Sequence, residues 1–412
     1  MNGNEIFTMA LGLQEPWHVV KAEFVDAGKN SKELHLWLDF TPGYKFSING
    51  STPTTAYDTL ERDWRHLNFF EHCCYLHARV PRIKVGEHEI KQVDVPWARP
   101  NSGFTMLFEA YAMLLIEDEM PVNGVSEVVK ETAPRIWRIF NYWVKKAVDK
   151  IDLSVVKRIG VDETSKRKGH DYITQFVDLD RRCTIFVAEG RDKETFKSFK
   201  KQLEVKGGKA ENITAISMDM SPSFISGALE NFPDAGVIFD KFHIFKALNE
   251  AIDKVRKLEH ADTALLKGHK FTLLYNSTNL SPKKKMELDT LLLTYPTIGK
   301  ACGFRESFRD IYEDVFNNPD PARKLEEEWC PLVEASGIKP MQDFVKMIKA
   351  HMFGIRTFFK NRAVNNGILE GLNSKIQLAK KRARGFCNVE NFINVIYFTC
   401  GKLQMDYPQY LL

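Results

Sequence analysis

The chain has 412 residues, 44% of them hydrophobic and 27% charged, with a formal net charge of +4. These values suit a folded globular chain of about three domains and exclude disordered or collagen-like classes. The small positive balance carries meaning only where the cations cluster. The seven cysteines are mostly scattered and form no CxxC pair, the usage of a reducing compartment rather than a disulfide framework. The N-terminus lacks the basic and then apolar layout of a signal peptide. The longest apolar run, "AYAMLLI" at 110–116, falls far short of the roughly 20 residues that span a bilayer. A cytoplasmic protein with no membrane partner is the expectation.

Residues 1–100 read as a β-rich module. In "ELHLWLDF" Leu34, Leu36, Leu38 and Phe40 alternate with polar residues, which predicts a half-buried strand. The turn-rich "TPGYKFSINGSTPTT" follows, and "CCYLHARVPRIKV" at 73–85 resumes strand composition. Residues 101–150 change period. Phe104, Leu107, Phe108, Tyr111, Leu114 and Leu115 fall at helical spacing. "VNGVSEVVK" predicts a second short helix, and Thr132 an N-cap for a third, "APRIWRIFNYWVKKAV", with Pro134 tolerated in its first turn. Three short helices with tight joints suggest a helix-turn-helix. Ile136, Ile139, Phe140 and Trp143 form one face of the third; Arg135, Arg138, Asn141, Tyr142 and Lys145 can lie on the other. Those are the residue types that meet phosphates and base edges, although basic faces of ordinary helical bundles look the same.

Residues 151–240 read as α/β. "KRIGVDETS", "YITQFVDLD" and "RCTIFVAEG" predict a strand meander. A helix over about 192–206, a strand "AISMDMS", a short helix and a strand "AGVIFD" follow. Residues 241–360 turn helical and charge-rich, and 361–412 open on a last helix carrying Glu370 ahead of Lys375, Lys380, Lys381, Arg382 and Arg384. Asp162 and Asp219 each follow an apolar run, where a strand end can expose a side chain. Two such carboxylates and a third from a helix make a set of hard oxygen ligands suited to Mg²⁺. Any single aspartate after a strand is more often a turn residue or helix cap; the combination carries the signal.

"IGVDETS…KGHDYIT", "SMDMSPSFISG", "FDKFHIFKALNEAIDKVR" and "EGLNSKIQLAKKRARGF" resemble, in order, the core motifs of bacterial insertion-sequence transposases of the DDE class, in the ISL-three family. The resemblance runs from "LGLQEPW" to "IYFTCGKL". It implies an α/β fold: a ribonuclease H-like catalytic core with an all-helical insertion, preceded by a zinc-ribbon-like module and a helix-turn-helix. It places Asp162, Asp219 and Glu370 on the catalytic and metal-binding triad, with two Mg²⁺ or Mn²⁺ ions. Asp240 and His243 of "FDKFH" match an accessory motif. The implied partner is double-stranded DNA, both the element's terminal inverted repeats and the target, handled in the nucleoid by a homodimer. Arg135, Arg138, Asn141 and Lys145, and beyond Glu370 the residues Asn373, Lys375, Lys380, Lys381, Arg382 and Arg384, are the candidate DNA contacts.

One part departs from the family pattern. Where relatives usually carry four zinc ligands around the β-rich module, this chain has Ser47, Gly50, Val85 and His88. Tetrahedral structural zinc needs four ligands, so no structural zinc is expected. His72, Cys73, Cys74 and His77 offer sulfur and nitrogen nearby, without a spacing that guarantees a site. Two other functions stay open on sequence grounds: a domesticated DNA-binding protein without transposition, and a ribonuclease H-like nuclease.

Overall fold

The computed structural model describes residues 2–28, 32–86, 89–165, 172–260, 266, 270–274, 280–313, 319–361 and 367–407. The chain divides into two compact units, Met1–Lys150 with the stretch from Leu403 onward, and Ile151–Lys402. The end of the chain, read from sequence as part of the catalytic core, thus returns to the first unit. There Asp406 pairs with Lys150, and Tyr407 meets Trp143 edge-on at 5.9 Å.

The first unit opens on α1 (Gly3–Ala10), closed by a reciprocal capping box between Asn2 and Glu5. Strands β1 (Trp17–Asp26), β2 (Lys32–Phe40), β5 (Asp58–Phe69) and β6 (His72–Val85) form a sheet in the order β1-β2-β6-β5, with β7 (Glu89–Gln92) on β6. The expected turn region contains a small pair of its own, β3 (Lys45–Phe46) and β4 (Thr54–Thr55). The alternation read in β2 holds: Leu34, Leu36 and Leu38 are buried against Trp64, Leu76 and Val80. Each such side chain contributes about 1.5–3 kcal/mol of burial, so the module has an apolar core of its own. Ser47 and Gly50 lie beyond β3 and Val85 ends β6; His88 is outside the described residues.

Helices α2 (Met106–Glu117), α3 (Val122–Val128) and α4 (Ala133–Asp149) follow at the expected places. The buried face of α2 differs from the one predicted. Phe108, Glu109, Ala112, Met113 and Ile116 face inward, while Leu107, Tyr111, Leu114 and Leu115 are only half-buried. A fully buried carboxylate lies on the inward face. Glu109 accepts hydrogen bonds from Arg99 Nε at 2.9 Å, Ser102 Oγ at 2.6 Å and Trp143 Nε1 at 2.8 Å. Such charge-assisted bonds offset the desolvation of the ion. On α4, Ile136, Ile139, Phe140 and Trp143 are buried as predicted. Thr132 stands at the N-cap but makes no side-chain cap bond.

The second unit is built on a five-stranded sheet of order β10-β9-β8-β11-β12. Its strands are β8 (Arg158–Ser165), β9 (Tyr172–Asp178), β10 (Cys183–Glu189), β11 (Ala215–Met218) and β12 (Gly236–Phe239). β8, β9 and β10 form an antiparallel meander, and β11 runs parallel to both β8 and β12. The "KGHD" piece of the first motif, 168–171, lies outside the described residues. Helices α5 (Glu194–Val205) and α6 (Pro222–Asn231) supply the crossovers. Phe196, Phe199 and Phe224 from these helices pack on one face against Phe176 of β9, directly or through one another.

After β12 come α7 (Lys241–His260), α8 (Lys270–Leu274), α9 (Pro282–Thr294), α10 (Pro296–Glu313), α11 (Pro321–Arg323), a π-turn at Lys324–Trp329, α12 (Cys330–Glu334), α13 (Lys339–Ala350) and α14 (Met352–Lys360). The segment "MQDFVKMIKAHMFGIRTFFK" forms two helices, broken at His351, whose φ of −108° leaves the helical range. These helices share one apolar core with the sheet, running from Ile216 and Phe239 through Leu248 and Phe308 to Phe344 and Ile355. The insertion is therefore continuous with the core rather than a separate body.

The other face of the sheet carries α15 (Gly367–Arg382) and α16 (Val389–Cys400). A side chain at Gly160 of β8 would crowd α15, because its Cβ would lie 2.9 Å from Leu369 Cδ2 and from Leu179 Cδ2, and those leucines would have to shift. Gly160→Val is expected to destabilise the chain by about 1–3 kcal/mol by overpacking this contact, measured by denaturant unfolding. An unchanged midpoint would mean that α15 does not depend on the close approach.

Candidate active site

Successive strand residues point to opposite faces, so Asp162, two residues beyond Gly160, lies on the α15 side of β8. It sits within the strand, opposite Gln175 of β9, and not at its end as the sequence suggested. Its carboxylate is held at both oxygens. Oδ1 accepts the main-chain N–H of Glu163 at 2.7 Å, and Oδ2 accepts Nδ2 of Asn373 on α15. Two further polar ties follow along the same helix stripe. Gln377 Nε2 donates to Thr164 Oγ1 at 3.0 Å, and Lys380 Nζ donates to the Ser165 carbonyl at 2.7 Å.

A cavity of about 1080 Å³ opens beside this docking line. Asp162, Asp240, His243, Glu370, Asn373 and Lys381 all line it. The strand-end residue Asp240 folds back, its Oδ1 accepting the Phe242 N–H at 2.8 Å to start α7. Asp219 follows β11 in the same manner, accepting the Ser221 N–H at 2.9 Å where α6 begins. It does not line the cavity; its charge is felt by Glu163, the neighbour of Asp162. The structure thus brings together two members of the expected triad with both accessory residues, and leaves Asp219 at the adjacent strand end. Among the described residues, no three His, Cys, Asp or Glu side chains are grouped closely enough to hold a metal ion.

Burial lifts the Asp162 carboxyl to about 6, against the pull of the Glu163 N–H, of His243 and of Asn373, and with help from the nearby Asp240 charge. Glu163 is raised as well, first by burial and then by Asp219. The carboxylates that line the cavity, Asp162, Asp240 and Glu370, offer oxygen donors of the kind that suit a hard divalent cation rather than a soft one.

The expected DNA contacts divide. Lys375, Lys381, Arg382 and Arg384 are exposed on or just past α15, whose last turn holds Lys380, Lys381 and Arg382. Lys380 is tied to Ser165, and Asn373 is turned inward to Asp162. In the first unit Arg138 and Lys145 are exposed on α4 and Asn141 is half-exposed. Arg135 is engaged internally, paired with both oxygens of Glu131 at 2.9 and 2.7 Å and lying over the Phe104 ring. Two polar residues escaped the sequence reading, Gln175 and Thr184, both fully buried behind Asn373. Their only signal was a glutamine inside the otherwise apolar run of "YITQFVD".

Comparison with known proteins defines the class first. Residues 159–396 match the DDE domain of a family described as transposase, and residues 93–144 match the helix-turn-helix domain of transposase family ISL3. The chain belongs to the ISL3 family of DDE-type transposases, a class that depends in general on divalent metal. It is similar to the transposase for insertion sequence element IS1001 of Bordetella parapertussis, 28% identical over 60% of this chain and 62% of that protein. It is also similar to the transposase for insertion sequence element IS1557 of Mycobacterium tuberculosis, 25% identical over 82% of this chain and 81% of that protein. No helix among the described residues is long and apolar enough to cross a membrane.

The raised Asp162 carboxyl makes the metal-free protein pH-sensitive. A folded pKa above the unfolded one gives stability that is full below about 4 and lost as pH rises through about 6. In chelator-treated protein Asp162→Asn is expected to gain about 2 kcal/mol on the unaltered chain between pH 4 and pH 8, on top of a pH-independent cost for placing an amide where both oxygens accept, read from melting curves at the two values. An equal effect at both would show that Asp162 ionises freely.

Proposed function

We propose that this chain binds the terminal inverted repeats of an insertion sequence, cleaves DNA at their ends and joins the freed 3′-hydroxyls to target DNA. The observation that carries the reading is the meeting of Asp162 and Glu370, from distant parts of the chain, in one cavity beside Lys381. The antiparallel meander flanked by two parallel strands supports a ribonuclease H-like core. Asp162, Asp219 and Glu370 are the residues that would hold Mg²⁺ or Mn²⁺, two ions in all. Bound there, such ions activate the attacking oxygen and stabilise the leaving oxygen of a phosphodiester.

The chain's own residues do the rest. Asn373 and the Glu163 N–H orient the Asp162 carboxylate, and the α15 ties set Glu370 opposite it. Asp240 and His243 border the same space from the start of α7. Lys375, Lys381, Arg382 and Arg384 neutralise phosphates, so binding weakens steeply with salt. Arg138, Asn141 and Lys145 on α4 reach the repeat, with Arg135 steadying the helix start. Two copies acting together would pair the two ends of the element. The β-rich module folds on its apolar core without structural zinc.

The test is strand transfer with labelled element ends and Mg²⁺. Glu370→Gln is expected to lower joined product by at least about a hundredfold, since a metal ligand is lost, while repeat binding in a gel-shift assay is unchanged. Cleavage without joining by the unaltered protein would instead mark a nuclease. For the module, elemental analysis of purified protein is expected to find no zinc; a full equivalent per chain would overturn the metal-free reading.

A further inference from the structure

Gln175 lies directly opposite Asp162 in the β8–β9 ladder and is shielded completely from solvent. A buried amide is tolerated where its donors and acceptor are met. Gln175 Nε2 donates to Asn373 Oδ1 at 2.6 Å, and its Oε1 accepts the hydroxyl of Thr184, also fully buried, at 3.4 Å. Asn373 then donates to Asp162. Every link runs in one direction, from Thr184 through Gln175 and Asn373 to the carboxylate.

That direction follows from chemistry. An ionised carboxylate only accepts, so Asn373 must present its NH₂ to Asp162. Its carbonyl then faces Gln175 and needs a donor, which fixes the glutamine amide in turn. The Thr184 hydroxyl, free to rotate its proton, satisfies the carbonyl left over. Without Gln175 the Asn373 carbonyl loses its donor, and the contact with Asp162 is left as the one tie on an amide whose flip would set oxygen against oxygen.

Resting on the reading of Asp162 as a metal ligand, we infer that Gln175 is a positioning residue for transposition. Acting through Asn373, it fixes the Asp162 carboxylate and holds α15, with Glu370, in one register on β8. It touches neither DNA nor metal. Gln377 and Lys380 make the other ties of that register, to Thr164 and Ser165. Among the described residues, Asn373 alone joins the buried chain of amides to the carboxylate.

The experiment uses the full-length protein and the variants Gln175→Met, Asn373→Ala, the double variant, Gln175→Glu and Asp162→Asn. Mn²⁺ binding without DNA is followed by the loss of the free-ion spin-resonance signal, and strand transfer is titrated with Mn²⁺. Gln175→Met keeps length and removes the donor. It is expected to weaken Mn²⁺ binding and raise the half-saturating Mn²⁺ by about tenfold, the low end of what outer partners of metal ligands contribute. Asn373→Ala should match it, and the double variant should be no worse than either, because the two act as one unit. Gln175→Glu, which once ionised can only accept, should be worse than Gln175→Met at alkaline pH because it draws the Asn373 NH₂ away.

Mn²⁺ affinity unchanged in a folded Gln175→Met protein overturns the inference, as do single effects that multiply in the double variant. If Gln175→Met does not fold, Thr184→Val carries the test: a rise of about fivefold, the worth of one neutral hydrogen bond, supports the relay, and no rise overturns it. Asp162→Asn separates the two levels. If it leaves strand transfer intact, the reading of Asp162 as a ligand fails; if it abolishes transfer while Gln175→Met behaves as wild type, the relay alone fails.

Discussion

The seating of α15 on β8 is the constraint on which the site depends. One glycine, Gly160, lets Leu369 close on the strand. Three side chains spaced along one helix stripe, Asn373, Gln377 and Lys380, then bond to Asp162, Thr164 and Ser165. Apolar contact alone would permit the helix to slide by a fraction of a turn, since dispersion and burial are non-directional. Hydrogen bonds are short and angle-dependent, so these ties convert a loose apolar docking into a single register. Glu370 inherits its position from that register.

The helical insertion serves the same end from another direction. It begins at Asp240 and His243, on the rim of the cavity, and returns through α14, where Gly354 lies so close that an added Cβ would meet the Phe239 ring at 2.4 Å. Because its core is continuous with that of the sheet, β12 and the start of α7 are braced from behind. The cavity therefore has walls from two sources, α15 and the insertion, both fastened to the same five strands.

Most elements were legible because their periods are clean. The β2 alternation, the β8–β10 meander and the buried face of α4 follow from apolar spacing alone. Reading failed where polar residues are buried. The face of α2 was misjudged because Glu109 looks like a surface residue until Arg99, Ser102 and Trp143 converge on it. The bond from Asn373 to Asp162 was not foreseen because nothing local discloses a partner in β8, and Gln175 passed unnoticed for the same reason. The break at His351 is likewise invisible in a segment apolar at helical spacing on both sides. Motif order identified Asp162, Asp219 and Glu370 as a set, yet only tertiary structure places Asp162 and Glu370 on one cavity and Asp219 beyond it.

The knot around Glu109 bears on how such proteins can be recombined. Arg99 and Ser102 come from the connection after the β-rich module, Glu109 from the first helix and Trp143 from the third. Arg65 of β5 reaches the main chain at Val129 from the other side, at 3.3 Å. A cut between the two predicted modules, near residue 100, would strand a buried anion without its guanidinium. The heritable cassette is then the sheet and the three helices together: shuffling that exchanges the DNA-reading head among relatives has to carry the strands along with it.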